Sequence, residues 1–547
     1  MATFQPRSDP QTTAARSTTS DSEAGPSYCD STGDNKASDS GVSGKDPSTH
    51  DLKRRTLRGA LVSTAGQGAN FVLRIGSMVV LARLLTAEDF GLVAMVFACT
   101  GFLDLFRDFG LSMAAVQRAC ISQAEHSALF WINLAVGVTL ALLCGALAPF
   151  LVVFFHEPRL LWIGVIIGLG FVFNGAAAQH RALLQRQMHF TVLTTIDVIS
   201  LIVSTAVGVG MAAAGEGYWA LVFMNICPAA VGAIGVWAVA RWMPSRPRWG
   251  TDVRSLVGFG GTVTLDLIVT FFTYNADKVL LGRFWGAQAL GIYGRAFQLI
   301  NIPTSNLNST ISSVVFSALS RLQNEPQRLR NYFLKGYGLF LSLVMPITIA
   351  SALCAEDIVR VFLGSKWALA APTVRFLAPT ILTIGLLYPL GTLLFSIGKG
   401  MRSLKIALVT APVVILGEMI GLRYGPLGIA AGLSVATALL VLPVIFWAAH
   451  KTPVTAGDML REILRPLLSS LIAGGTLLAC SSFLQPLSSP LLRLIMANTL
   501  LFGVHFIILL FVMGQMAIYL PMLRDAGLWP ILSRWRRIGT VLSQVRD

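Results

Sequence analysis

The sequence predicts an all-α, polytopic membrane protein of about fourteen transmembrane helices, arranged as two six-helix lobes followed by two further helices. Three observations carry this. Of 547 residues 54% are hydrophobic and only 13% are charged, about half the charged share of a soluble domain. From residue 52 onward the chain resolves into apolar stretches long enough to cross a roughly 30 Å hydrocarbon core, which takes about 20 helical residues. Basic residues then crowd into alternate connections, as the positive-inside rule requires.

Residues 1–51 stand apart, with Ser, Thr, Gly and Asp dominant and four basic against eight acidic side chains. Such a segment cannot bury enough surface to offset the entropy of ordering, so it is expected as a disordered cytoplasmic tail. No apolar core follows Met1, and it does not read as a cleaved signal peptide. Beyond it the chain holds 38 basic and 19 acidic residues.

The first lobe, 52–250, carries apolar spans at 58–82, 90–115, 127–154, 160–179, 191–213 and 217–240. The second, 251–450, carries spans at 255–281, 288–318, 333–353, 370–397, 403–422 and 426–449. Residues 451–520 add two more, at 464–484 and 490–517, and 521–547 form a basic cytoplasmic tail. Helices are required because backbone groups in lipid must be satisfied within each segment. The runs are too long and too uniform for the alternating strands of a membrane barrel.

Loop charges set the orientation. The connections facing one side hold 26 basic residues, from Lys53, Arg54, Arg55 and Arg58 to Arg534, Arg536 and Arg537, whereas the other side holds six: Arg83, Arg159, Arg283, Arg360, Lys366 and Arg423. Both termini are therefore expected in the cytoplasm. The same distribution accounts for the basic pI without nucleic acid, since juxtamembrane basic groups face anionic lipid.

A repeat organises the spans. Val80-Leu-Ala-Arg83-Leu-Leu-Thr-Ala-Glu-Asp-Phe-Gly91 is followed 200 residues later by Leu280-Leu-Gly-Arg283-Phe-Trp-Gly-Ala-Gln-Ala-Leu-Gly291. Two parallel lobes related in this way form a central cavity in many secondary transporters.

Polar groups within spans mark where a cavity is expected. Ser63, Gln67, Asn70, Arg74 and Ser77 recur at helical spacing on one face of the first helix, and Thr262, Asp266, Thr270, Thr273 and Asp277 do so on the seventh. Backbone bonding covers most of the hydroxyls, and proximity to the span end and to Lys278 covers Asp277. Arg74 and Asp266 are well inside their spans, where an isolated charge costs at least about 2.5 kcal/mol on insertion scales. They are candidates for lining the cavity, with an ion pair between them as the rival. Asp104, Arg107 and Asp108 cluster on the second span, as a structural pair or a gate. Arg295 presents a cation to the outer half. Asp197 and Glu418 are candidate proton relays, against the plain reading of paired carboxylates.

Enzyme and metal signatures are absent. The seven cysteines show no ligand spacing, the seven histidines no H-E-x-x-H, and no G-x-x-x-x-G-K-[ST] loop occurs. No cofactor is implied. Soluble connections are too short for a sugar-nucleotide domain.

Several runs carry a family resemblance: Arg83 to Leu92, Asp104-Leu-Phe-Arg-Asp-Phe-Gly110 leading to Val116-Gln-Arg118, Gly217-Tyr-Trp-Ala-Leu221, and Asn275-Ala-Asp-Lys278 through Gly286 to Leu290-Gly-Ile-Tyr-Gly-Arg-Ala-Phe-Gln298. In this ordered set the chain resembles the polysaccharide exporter, or oligosaccharide flippase, family. Its colanic acid and exopolysaccharide exporter-like branch belongs to the multidrug/oligosaccharidyl-lipid/polysaccharide transporter superfamily. The resemblance implies a bacterial inner-membrane protein and not an enzyme. Such a protein flips undecaprenyl-diphosphate-linked repeat units outward by alternating access, for a periplasmic polymerase in exopolysaccharide or lipopolysaccharide biosynthesis. Proton and sodium coupling both fit. The alternative is an ion-coupled drug antiporter of the same superfamily, which a predominantly acidic cavity would favour.

The charge alternation makes a direct prediction. Reporter fusions after residues 86, 156, 286, 364 and 487 should report the periplasm, and fusions after 120, 184, 246, 326, 400 and 456 the cytoplasm. Two or more reversals would refute the arrangement.

Overall fold

The structure, a computed structural model, describes residues 49–107, 123–245, 261–484, 486 and 488–515. Asp108, Arg118, Arg254, the tail through residue 48 and the basic tail at 521–547 lie outside the described residues. Among the described residues the chain is helical with no strand. The helices are α1 (Thr49–Leu84), α2 (Ala87–Thr100), α3 (Gln123–Phe155), α4 (Leu160–Arg186), α5 (Phe190–Ala213), α6 (Tyr218–Ala240), α7 (Gly261–Thr273) and α8 (Ala276–Arg321). They continue as α9 (Pro326–Leu353), α10 (Ala355–Phe362), α11 (Ala370–Ser396), α12 (Gly400–Gly421), α13 (Gly425–Ala449), α14 (Ala456–Ala479) and α15 (Pro490–Ile507).

Among the described residues the expected spans fall on helices, with 108–115, 255–260 and 516–517 outside them, and boundaries differ where local chemistry outweighs hydropathy. α1 begins at Thr49 rather than 58, because the helix formers Leu52 to Arg55 carry it past the apolar stretch and into the expected tail. α8 is broken at Gly286, where φ is +77° and only glycine is free of strain, so its first part completes the expected seventh span. Ten stretches among the described residues are long and apolar enough to cross a membrane, and one of them, Gly400–Ala449, contains both α12 and α13. This is a multi-pass membrane protein.

Capping fixes two helix starts. Thr86 accepts a hydrogen bond from the Asp89 amide at 3.3 Å, while the Asp89 carboxylate accepts from the Thr86 amide at 2.9 Å. Thr455 and Asp458 repeat this box at the start of α14.

Contacts assign the connections to two opposite faces. On the face bearing Thr86, Arg159 pairs with Glu88 at 2.6 Å and Trp285 Nε1 donates to the Leu422 carbonyl at 2.8 Å. Arg493 grips Asp357 there through two bonds of 2.8 and 2.5 Å. On the opposite face Lys399 donates to the Lys451 carbonyl and Arg402 to the His450 carbonyl, and Arg330 holds Asp458 at 2.9 and 2.6 Å.

Helices α3 to α6 pack mainly among themselves and on α1, while α7 to α9 pack with α11 to α13. The principal junction between these N-terminal and C-terminal groups is α2 against α8. A side-chain carbon on Gly91 would overlap the Ala287 carbonyl, and one on Gly291 would overlap the Ala87 carbonyl. Two glycines 200 residues apart in sequence thus make reciprocal contacts with the facing helix, and glycine allows the two backbones to touch. α14 docks on α9 through Arg330 with Asp458 and α15 on α10 through Arg493 with Asp357, and the fully buried His505 joins α14, α15 and α9. Its Nδ1 lies 2.9 and 3.0 Å from the Ser469 and Ser470 hydroxyls, and its Nε2 lies 3.0 Å from the Ser342 carbonyl.

Gly291→Leu should therefore force α2 and α8 apart and cost about 1–3 kcal/mol. A lowered unfolding temperature in detergent checks this, with Gly294→Leu as the control, because a side-chain carbon there meets open space.

Candidate functional site

Two separate places hold the intramembrane polar groups. The first is α1, where Gln67 and Arg74 are exposed, Asn70 is half-buried and Ser77 is buried. Ser77 donates to the Arg74 carbonyl at 2.9 Å. The Arg74 side chain makes no ion pair or hydrogen bond among the described residues. Beside it, Phe71, Ile75 and Met78 form one wall of an apolar cavity of about 330 Å³. Its other walls come from α8 at Leu299 and Pro303, α9 at Ile347, α10 at Phe362 and α15 at Leu494, Asn498 and Phe502.

The second place is inside the C-terminal group, where α7 stops at Thr273 and α8 starts at Ala276. At about 1.5 Å per residue this break lies roughly 16 Å from the turn at Gly286, well within bilayer depth. A break there frees carbonyls that lipid cannot satisfy. Side chains repair it: Lys278 Nζ donates to the Tyr274 carbonyl at 2.8 Å and to Asn275 Oδ1 at 3.0 Å, and Asn275 Nδ2 donates to the Phe271 carbonyl at 2.8 Å.

Asp277, 1% exposed, accepts from Tyr293 Oη at 2.7 Å and lies 3.4 Å from Lys278 Nζ. The Lys278 ammonium also stands 4.7 Å from the centre of the Phe297 ring. Glu418, on α12 and fully buried, faces Asp277 and Lys278, with no hydrogen-bond partner for either oxygen. Two carboxylates and one ammonium thus share one dry pocket.

The remaining sequence candidates separate. Asp266 is 8% exposed and bonds Ser403 on α12, leaving Oδ1 unpartnered, so it faces the interior of its own group and forms no pair with Arg74. Asp197 pairs with Arg181 at 2.6 Å, linking α5 to α4. Asp104 and Arg107 pair at 3.6 Å, both half-exposed, about a 3₁₀ turn over Gly101–Phe106 that follows α2. Arg295 lies over the Phe90 ring at 3.7 Å and donates to Gln298, so it joins α8 to α2. Sequence spacing missed Tyr293, which reaches Asp277 only because the chain reverses at Gly286.

Against this geometry, known proteins were compared. The model of a family described as polysaccharide biosynthesis protein matches residues 80–372. The chain belongs to this family. Among similar relatives, teichuronic acid biosynthesis protein TuaB of Bacillus subtilis (strain 168) is 25% identical over 353 residues, which cover 64% of this chain and 72% of TuaB. Succinoglycan biosynthesis transport protein ExoT of Rhizobium meliloti (strain 1021) is 26% identical over 341 residues, 62% of this chain and 68% of ExoT. Among solved structures, the inward closed conformation of lipid II flippase MurJ superposes with a TM-score of 0.64 at 15% identity, covering 82% of this chain and 99% of MurJ. The last likeness is one of fold. The matched family region contains α2, α7 and the Asp277, Lys278 and Tyr293 part of the pocket, whereas Glu418 follows it and α1 up to Val79 precedes it.

The Asp277 pocket predicts a cost for removing its donor. Tyr293→Phe should destabilise the protein by about 1–3 kcal/mol, because it strands a buried charge-assisted acceptor. Thermal unfolding in detergent should show the loss, and Asp277→Asn should lessen it when combined with Tyr293→Phe.

Proposed function

We propose that this protein flips lipid-diphosphate-linked oligosaccharide units across the bacterial inner membrane by alternating access. In this reading the N-terminal and C-terminal helix groups are the two lobes, the Thr86 face is periplasmic and both termini are cytoplasmic. The observation that carries the reading is the juxtaposition on α1 of a guanidinium without ion pair or hydrogen bond among the described residues and an apolar cavity. A lipid-linked saccharide has the complementary form, an anionic diphosphate joined to an apolar chain.

Arg74 lies roughly 15 Å inward from the end of α1 at about 1.5 Å per residue. A guanidinium at that depth needs an anion or water, and a diphosphate needs paired charge-assisted donors. The apolar cavity beside it accepts a segment of the isoprenoid chain. Asn70 and Gln67, one and two turns away on the same face, offer hydrogen bonds to sugar. The named roles of relatives, transport for ExoT and lipid II flipping for MurJ, agree with this assignment. A polymerase on the periplasmic side is the natural consumer of the product.

Coupling is assigned to the Asp277 pocket. With Lys278 charged, Asp277 and Glu418 leave one negative charge in excess, and an uncompensated charge in a dry site is costly. A proton or a sodium ion at Glu418 supplies the balance, and its entry or exit couples the helix 7 break to movement of the C-terminal lobe.

Reconstituted vesicles containing a fluorescent lipid-diphosphate oligosaccharide test both assignments. Arg74→Ala should slow flipping by roughly ten- to a hundredfold, the worth of charge-assisted hydrogen bonds, while Arg74→Lys keeps part of the rate. Glu418→Gln should abolish the response to an imposed pH or sodium gradient. Wild-type flipping by well-folded Arg74→Ala protein would overturn the diphosphate assignment, and transport of organic cations instead would favour the drug antiporter.

A further inference from the structure

The last carbonyls of a helix have no intrahelical partners and must find them elsewhere. α1 belongs to the N-terminal group, yet its end is capped from the C-terminal group. Trp367 Nε1 donates to the Ala82 carbonyl at 2.7 Å. Lys366 Nζ donates to the Arg83 carbonyl at 2.7 Å and the Leu85 carbonyl at 2.8 Å. The exchange is mutual, because Arg83 Nη2 donates to the Val361 carbonyl at 3.4 Å, at the end of α10. Each group therefore caps a helix end of the other.

The connection that carries Lys366 and Trp367 is shaped for this. Gly364 has φ of +99°, a backbone that glycine alone adopts without strain, and it turns the chain from α10 into the 3₁₀ turn Ser365–Trp367. Trp367 is 3% exposed, with its ring 5.7 Å from that of Phe90 on α2. Partial burial lowers the Lys366 pKa below the ordinary lysine value, and the Asp89 carboxylate opposes that shift. The ammonium meets the negative end of the α1 dipole, which a cation stabilises.

We propose that Lys366 and Trp367 form the latch that holds the Thr86 face shut, and that it opens each time the two helix groups part there. This rests on the alternating-access reading. A cap supplied by a helix's own group would persist in every state, whereas this one exists only while the groups touch. On release the three carbonyls and the ammonium pass to water at the membrane surface, so the bonds are exchanged rather than lost and the latch is reversible. Lysine suits the task, since its three donors can leave two carbonyls without the rigid planar fit of a guanidinium.

The test uses the full chain with its seven native cysteines replaced and spin labels at Glu216 and Arg423, exposed positions in connections of the two groups on the Thr86 face. Electron double resonance in lipid nanodiscs reads closed and open populations as short and long distances. Lys366→Met and Trp367→Phe should each raise the open-to-closed ratio about tenfold, as expected for loss of a charge-assisted or buried hydrogen bond. Lys366→Arg should retain most of the closed population, and Trp367→Phe keeps the ring packed on Phe90, so folding is preserved. A ratio unchanged in folded Lys366→Met and Trp367→Phe protein would overturn the latch while leaving alternating access intact. One fixed distance in wild type and variants under all imposed gradients would remove the movement, and the latch with it.

Discussion

A bilayer offers the backbone no water, so each peptide group must find its partner within the protein. That constraint makes the chain helical, and it also dictates what happens wherever a helix is interrupted. At the Thr273 to Ala276 break, Lys278 and Asn275 take over the duties of the missing turn. At the end of α1 the duty falls to Lys366 and Trp367. Chemistry concentrates at both places because an interrupted helix needs polar side chains and those side chains are then available for function.

The two interruptions differ in reach. The break beside Asp277 is repaired by residues of the same helix group, and the buried Asp277 and Glu418 and the part-buried Lys278 stand within that one frame. The end of α1 is repaired across the junction between groups. There Gly91 meets the Ala287 carbonyl and Gly291 meets the Ala87 carbonyl, so the backbones are in direct contact with no side chains between them. A bare junction of this kind has little interlocking, and the Arg295 to Phe90 contact and the Lys366 bonds supply much of its specificity.

The C-terminal pair α14 and α15 is held at three depths, to α9 by Arg330 with Asp458 and by His505 with the Ser342 carbonyl, and to α10 by Arg493 with Asp357. Such a brace makes the pair part of the C-terminal group. It also sets Leu494, Asn498 and Phe502 as a fixed wall of the apolar cavity opposite Phe71 and Ile75, which belong to the other group. The cavity thus has one wall on each group, and its shape depends on how the two groups sit against each other.

The sequence by itself determined the class, the approximate spans and the family. Hydropathy and charge alternation are summed over tens of residues, so errors at single positions cancel, and the Gly91 and Gly291 repeat picked out two glycines that lie in the α2 to α8 junction. It also selected Arg74 and Asp266 as charges costly to hold inside a span, and Glu418 as a candidate proton relay. Tertiary structure alone decided which of them meet. Asp266 and Arg74 look alike on a helical stripe, but one is buried against Ser403 and the other is exposed. Asp197 finds Arg181 on a neighbouring helix, and Asp277 finds Tyr293 only after the chain reverses. Lys366 reads in the sequence as one more basic residue of a short connection, and its bonds to Arg83 and Leu85 span more than half the chain. Spacing along one helix specifies a face, but the partner of that face is set by packing between helices far apart in sequence.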